Sequence, residues 1–346
     1  VSVVPNASRR VLAVYAAVIL ALVVSVVCGL AVGPTAISTS RILGSLFAHV
    51  GIGHSTLNSL QSTVVWQLRA PRMVLGLLAG AMLGVAGGSY QGIFRNPLAD
   101  PYLLGVAAGA GLGATFAIMD VGHGITTPTW TPLIAFIGAL SAVAMTWTIG
   151  GRGLRSSTGT LILAGVAVSA LLTSAQTYLQ QQASASSIAR VYIWLLGSLA
   201  NASWSNVTLI LPYVVACATV CLFAGQALDV MSVGEEEAKT LGLPVRRVRF
   251  VVILASSLGT AAVVSVVGLI GFVGIIVPHI IRLLVGSSYR RILPLSVIFG
   301  AAFLVLCDTA ARTVLSPSEL PLGVVTAIIG APIFVVILAF RRTTSV

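Results

Sequence analysis

The stretch RAPRMVLGLLAGAMLGVAGGSYQGIFRNPLADPYLLG, residues 69–105, decides the fold. Its residues 73–94 carry no charge and number 22, and at about 1.5 Å per helical residue that length crosses a hydrocarbon core roughly 30 Å thick. The segment reads as a membrane span. Gly76, Gly80, Gly84, Gly88 and Gly92 recur at every fourth position, the spacing at which small side chains let a second helix come close to the backbone. A helix facing only lipid gains nothing from them, so this span is expected to pack against protein. Arg95, Asn96, Pro97, Asp100 and Pro101 end the apolar run, each proline pushing the residue before it out of the α region. The chain is predicted to leave the bilayer there, turn tightly and re-enter at Tyr102.

Composition extends this reading to the whole chain. It is 57% hydrophobic and only 8% charged, against about 25% charged in soluble domains, and its mean hydropathy is +1.05. A soluble globular domain is excluded. The net charge of +11 raises the question of nucleic acid, but the basic residues are scattered between apolar runs instead of forming one face, which fits positive-inside anchoring better. Cys28, Cys217, Cys221 and Cys307 lie inside or at the ends of apolar runs with no CxxC. They read as small buried hydrophobes, with a disulfide or metal site as the alternative. The N-terminal Ser8-Arg9-Arg10 and the apolar run after it imitate a signal peptide. That run is longer than a signal core, no A-x-A site follows, and Val27 spoils a lipoprotein site at Cys28, so a retained first span is expected.

Apolar segments near 11–32, 73–94, 102–119, 129–149, 160–179, 206–228, 248–267, 269–285, 292–307 and 322–340 give ten candidate spans. The seventh and eighth are divided only by glycines around Gly268 and Gly271. With the N-terminus inside, fourteen of the basic residues fall on the cytoplasmic side, and Arg41, Arg69, Arg72, Arg190 and Arg312 are left outside. That distribution obeys the positive-inside rule and places both termini in the cytoplasm. Spans two to five and seven to ten have the offset of an inverted repeat. No low-complexity linker divides the chain, so residues 1–346 are expected to form a single transmembrane domain, all-α and polytopic.

Two features inside this frame carry chemistry. The longest polar loop, 229–249, contains SVGEEEAKTLGLP. Ser232 and Glu235 have capping-box spacing, Glu235 and Lys239 are an i,i+4 pair, and Gly242 followed by Pro244 is a helix stop, which together predict a short helix at the membrane surface. In span five, Ser169, Thr173, Gln176, Thr177 and Gln180 recur at helical spacing, a polar stripe that serves either a wet surface or hydrogen bonds between helices. The chain has no P-loop, and Lys239 is its one lysine, so it is expected not to hydrolyse nucleotide itself. A proton- or sodium-coupled transporter normally needs an ionisable residue near the midplane, and here the carboxylates fall at span ends or in loops. Neither H-E-x-x-H nor G-x-S-x-G is present for an intramembrane enzyme. His279 and Arg282 after Pro278 read as a proline kink with a snorkelling arginine in preference to a metal or haem ligand pair, and His49, His54 and His123 are isolated in outer loops.

The glycine ladder and RNPLADP turn, together with GLIGFVGIIVPHIIRLL at 268–284 and SELPLGVVTAIIGAP at 318–332, resemble the permease subunits of iron-siderophore, haem and cobalamin ABC importers, the FecCD type. The resemblance implies a type II ABC importer permease fold of ten spans and a non-enzymatic subunit that passes a ferric chelate, a ferric siderophore or haem. Cobalamin is the alternative cargo, and an ion-coupled secondary transporter is the rival class. Implied partners are two ABC ATPase subunits carrying ATP and Mg, a second permease (an identical copy or a different one), an external periplasmic or lipid-anchored substrate-binding protein, and the lipid of the bacterial inner membrane. No cofactor is expected on this chain. By the same resemblance Glu235, Glu236, Glu237, Ala238, Lys239, Leu241 and Gly242 form the coupling helix that seats in the ATPase. Asn96 and Leu98 match one half of a cytoplasmic gate, with Ser156, Ser157 and Thr158 matching the other. The span-five stripe lines the pathway. Arg69, Arg72 and Arg312 attract acidic residues of the binding protein, the alternative being interfacial snorkelling or pairing with Asp308 and Glu319.

Overall fold

The computed structural model describes residues 4–33, 35, 37–49, 51–52, 54–120, 129–150 and 158–342. The first half contains α1 (Val4–Ala31), α2 (Thr39–His49), α3 (Ser59–Thr63), a π-helical turn (Val64–Arg69), α4 (Ala70–Phe94), α5 (Val106–Asp120), α6 (Thr131–Ile149) and α7 (Thr158–Gln181). The remainder contains α8 (Ala185–Leu195), α9 (Trp204–Phe223), α10 (Gly225–Val233), α11 (Glu235–Thr240), α12 (Val245–Val267), α13 (Val273–Val285), α14 (Tyr289–Ala311) and α15 (Leu322–Arg342). No strand occurs among the described residues. Among the described residues seven helices are long and apolar enough to cross a membrane, and α5, α13 and residues 322–336 of α15 are shorter apolar stretches. Nine of the ten apolar segments therefore each correspond to one helix, and the sixth to two.

Boundaries differ from the sequence reading where a polar side chain or an unusual backbone angle intervenes. Span two starts earlier than residue 73, because α3, the π turn and α4 run on as one rod, Ser59–Phe94. Its end is set before the prolines act. Arg95 adopts a left-handed conformation at φ 47°, and the N–H of Asn96 donates back to the Gln91 carbonyl at 3.2 Å, which satisfies an open end of the helix. The next helix begins at Val106 and not at Tyr102. Asn96 Oδ1 accepts from the N–H of Leu98 at 2.9 Å and Asp100 Oδ1 from that of Tyr102 at 2.7 Å, two successive Asx turns that use up the backbone before a helix starts. The predicted sixth span, 206–228, breaks at Ala224 into α9 and α10.

Three helices form the centre. In the apolar windows of α4, α12 and α14, 78%, 72% and 67% of residues are buried, against 11% in α1 and 22% in α7, so the outer helices keep their apolar faces for lipid or partners. The glycine ladder explains the centre. A methyl group at Gly80 would strike the carbonyl of Gly300, one at Gly84 the carbonyl of Ser296, and one at Gly88 would lie 2.9 Å from Leu293 Cδ2, all on α14. One turn round the helix, a methyl at Gly87 would strike Gly274 of α13. Backbones approach here because no Cβ stands between them. The Tyr90 hydroxyl then hydrogen-bonds Ser257 Oγ of α12 at 2.7 Å, so α4 is fixed on three sides.

Candidate translocation groove and coupling loop

The stripe of α7 opens onto a groove of about 490 Å³. Ser169, Thr173, Gln176, Thr177 and Gln180 all line it, brought together with Tyr102 of the turn before α5, Ala107 and Ala108 at the start of α5, Leu195 at the end of α8, and Leu269. Ala107 and Ala108 leave room that larger residues would fill. Gln176 is the buried member of the stripe, lying over Gly111, where a methyl would come within 2.8 Å of its Oε1. The Thr177 hydroxyl donates to the Thr173 carbonyl at 2.9 Å, which commits its hydrogen and leaves the oxygen lone pairs for a passing donor. The lining contains no Asp, Glu, Lys, Arg or His. It offers neutral donors and acceptors whose hydrogen bonds exchange readily with water and net only about 1 kcal/mol each.

Tyr102, which sequence reading passed over as the first residue of a span, joins two irregular segments at this groove. Its hydroxyl donates to the Ile270 carbonyl at 3.0 Å and accepts from the Ile270 N–H at 3.2 Å. Ile270 lies in the break between α12 and α13, which opens at Gly268 (φ +74°) and closes at Phe272 (φ 69°). The glycine signal found the break. Nothing local showed that a tyrosine far away in the sequence would satisfy its backbone. Each half thus carries a long central helix, an irregular break and a short helix, and Tyr102 bridges the two breaks.

Of the residues matched to a gate, Asn96 is half-buried and Leu98 exposed on the first turn. Thr158 opens α7, while Ser156 and Ser157 lie outside the described residues.

The coupling loop forms its helix by other contacts than the spacing suggested. Ser232 ends up in α10, where its hydroxyl donates to the Asp229 carbonyl at 2.6 Å, so the Ser232–Glu235 capping box does not form, and Gly234 precedes the first turn of α11 instead. Lys239 pairs with Glu236 at 2.6 Å and not with Glu235. Glu235 is taken by Arg249 of α12 at 2.7 Å, whose side chain is only 5% exposed and needs an anion more than surface Lys239 does. The predicted stop holds. Gly242 takes φ +82°, its N–H donates to the Lys239 carbonyl at 2.9 Å, and that of Leu243 to the buried Ala238 at 3.0 Å, the two bonds of a Schellman ending. Glu237 and Leu241 stand on the exposed side of the same short helix.

The three arginines expected to dock a binding protein each find partners within the chain. Arg69 and Arg312 are 5% and 4% exposed. Arg69 Nη1 donates to the carbonyls of Leu30 and Ala31 at 2.8 and 3.0 Å and Nη2 to that of Thr35, while Arg312 Nη2 donates to the Gly29 carbonyl at 2.6 Å. The carbonyls of Gly29, Leu30 and Ala31 belong to the last turn of α1, where no helical N–H remains for them and the helix dipole is negative, and that of Thr35 lies in the loop after it. Arg72 forms a double fork, to Asp308 at 2.8–3.1 Å and to Glu319 at 2.9 Å. This is the pairing that sequence reading weighed as the alternative, extended by a cap on α1 that no local pattern announced.

Arg282 is half-buried and finds partners inside the bundle. Pro278 has no N–H to offer the Gly274 carbonyl, and Gln91 Nε2 approaches that oxygen at 3.3 Å. Gln91 Oε1 in turn accepts from Arg282 Nη2 at 3.1 Å, and Arg282 reaches the Tyr289 hydroxyl at 3.2 Å. The four residues tie α4, α13 and α14.

A bundle of apolar helices with lipid-suited outer faces and an uncharged polar groove defines a multi-pass membrane transport protein. Residues 20–340 match the FecCD transport family, and the chain belongs to it. It is 41% identical over 283 residues to the cobalamin import system permease protein BtuC of Halobacterium salinarum, covering 81% of this chain and 74% of that one. It is 34% identical over 334 residues to the Fe(3+)-citrate import system permease protein YfmE of Bacillus subtilis, covering 96% of each. A solved structure described as an inward-facing conformation of a metal-chelate type ABC transporter superposes with TM-score 0.82 at 30% identity, over 93% of this chain and 97% of that one. The fold is that of a type II ABC importer permease, and the chain is a transport subunit, not an enzyme.

Proposed function

We propose that this chain, as one transmembrane domain, passes a ferric chelate (a ferric siderophore complex or haem) along the α7 groove, paired with a second copy of itself on two ATPase subunits. The observation that carries this reading is the groove itself, whose neutral hydroxyls and amides suit a large polar chelate that must be let through and not held. The Fe(3+)-citrate relative and the metal-chelate transporter support it. The cobalamin relative keeps cobalamin as the second reading. Positive-inside charge puts both termini, the 229–249 loop and the 96–98 turn on the cytoplasmic side, where α11 seats in the ATPase and Asn96, Leu98 and Thr158 border the exit.

Uptake by proteoliposomes holding the permease, its ATPase and its binding protein tests the cargo, with ferric siderophore, haem and cobalamin offered in turn. Ferric chelate uptake that drops at least tenfold in Gln176→Leu with Gln180→Leu, with ATPase copurification unchanged, is expected. Uptake of cobalamin alone overturns the ferric reading. Replacement of Glu235, Glu236 and Lys239 by alanine is expected to leave membrane insertion intact and loosen the ATPase. Unchanged copurification and uptake remove the coupling role.

A further inference from the structure

A second and larger cavity, about 1260 Å³, lies between α6 and α9 where both begin, over the end of α12. Its walls between the two helices are largely apolar. Leu133 and Phe136 of α6 face Leu209 and Tyr213 of α9 across it, with Val266 of α12 as floor, and the Phe136 and Tyr213 rings meet edge-on at 5.6 Å to close the inner end. Its mouth is polar, with Thr131, Arg190, Ser198, Asn201 and Asn206, and Trp130 and Trp194 flank it, as aromatic residues do at the level of lipid headgroups.

Two buried polar atoms here have no hydrogen-bond partner among the described residues. Thr131 is 3% exposed and its hydroxyl has no hydrogen-bond partner, nor has the buried Nε of Arg190. Among the described residues Arg190 Nη2 donates to Ser187 Oγ at 3.0 Å and the guanidinium enters no ion pair. A half-buried guanidinium with no carboxylate on it among the described residues calls for an anion, and Arg matches phosphate in geometry as well as charge. The cavity therefore asks for a molecule with an anionic oxygen head and an apolar tail. We propose that it binds one anionic glycerophospholipid, its phosphate on Arg190 and Thr131 and an acyl chain between α6 and α9. This site is separate from the α7 groove and shares no lining residue with it.

The test is native mass spectrometry of the detergent-purified transporter after incubation with phosphatidylglycerol, phosphatidylcholine or inorganic phosphate. About one phosphatidylglycerol retained per permease and preferred over phosphatidylcholine is expected. Loss of a charge-assisted contact in Arg190→Gln should lower retention about tenfold. Leu209→Trp, at a half-exposed wall position, should lower it by filling the space, in a complex that elutes unchanged. Equal retention of the two lipids, unchanged retention in both variants, or displacement of lipid by inorganic phosphate each overturns the proposal.

Discussion

Arg72 shows how a charge is kept among apolar helices. Its side chain is 13% exposed and that of Asp308 is 4% exposed, so removing either partner strands a charge that water reaches poorly. Arg72→Met should destabilise the protein by about 3 kcal/mol. Adding Asp308→Leu and Glu319→Gln should recover only part of that, because Arg312, 3.5 Å from Asp308, then loses its own carboxylate. Thermal melts in detergent of the single and triple variants check it. Asp100 behaves oppositely. Burial raises its carboxyl to about 6, partly countered by the N–H of Tyr102. A raised pKa means that the contribution to stability is present at low pH and lost as pH rises through about 6. Asp100→Asn keeps the Asx turn and loses the charge. It should melt higher than the parent at pH 7 and match it near pH 4, so that the difference between the two curves grows across that window. A constant difference would place the effect in packing.

At the level of elements, α4 is the axle, and its glycines are the reason. A methyl at Gly87 meets the backbone of Gly274, and α13 cannot yield without moving Pro101, which lies 2.6 Å from a methyl placed on Gly274. Gly87→Ala should therefore cost several kcal/mol, as overpacking does when no side chain can swing aside, and should abolish recovery of folded protein by gel filtration. Gly271→Ala, where nothing lies within 4 Å, is the matched control and should be recovered normally. The first helix is held differently. Its apolar window is almost wholly unburied, and its end is gripped by the guanidinium groups of Arg69 and Arg312.

In the whole molecule, α12 links the 229–249 loop to the α7 groove. Arg249 near its start holds Glu235 of the coupling helix, and immediately past its last residue Leu269 borders the groove while Ile270 is held by Tyr102. A displacement of α11 thus has a rigid 23-residue path to the groove. Arg249→Met should leave the ATPase bound, since α11 keeps its Schellman ending, but should lower uptake per ATP hydrolysed in proteoliposomes. An unchanged ratio of uptake to hydrolysis removes α12 from that path.

The sequence by itself determined what periodicity and solvent preference decide. Apolar length marked ten helices, the spacing of Gly76 to Gly92 marked the central one, Gly242 marked the end of the coupling helix, and the span-five stripe named five of the residues lining the groove. Each is a local property, repeated along one helix or set by one backbone angle. Tertiary structure alone decided which partner each polar group found. Glu235 passed over Lys239 for the drier Arg249, Ser232 turned back on Asp229, and Arg69 and Arg312 left the surface to cap α1. Those choices depend on how far water is excluded and which orphaned carbonyls or carboxylates stand nearby, and both are set by residues up to 283 positions apart along the chain. Spacing could not foresee them because a buried charge takes the partner that packing leaves within reach.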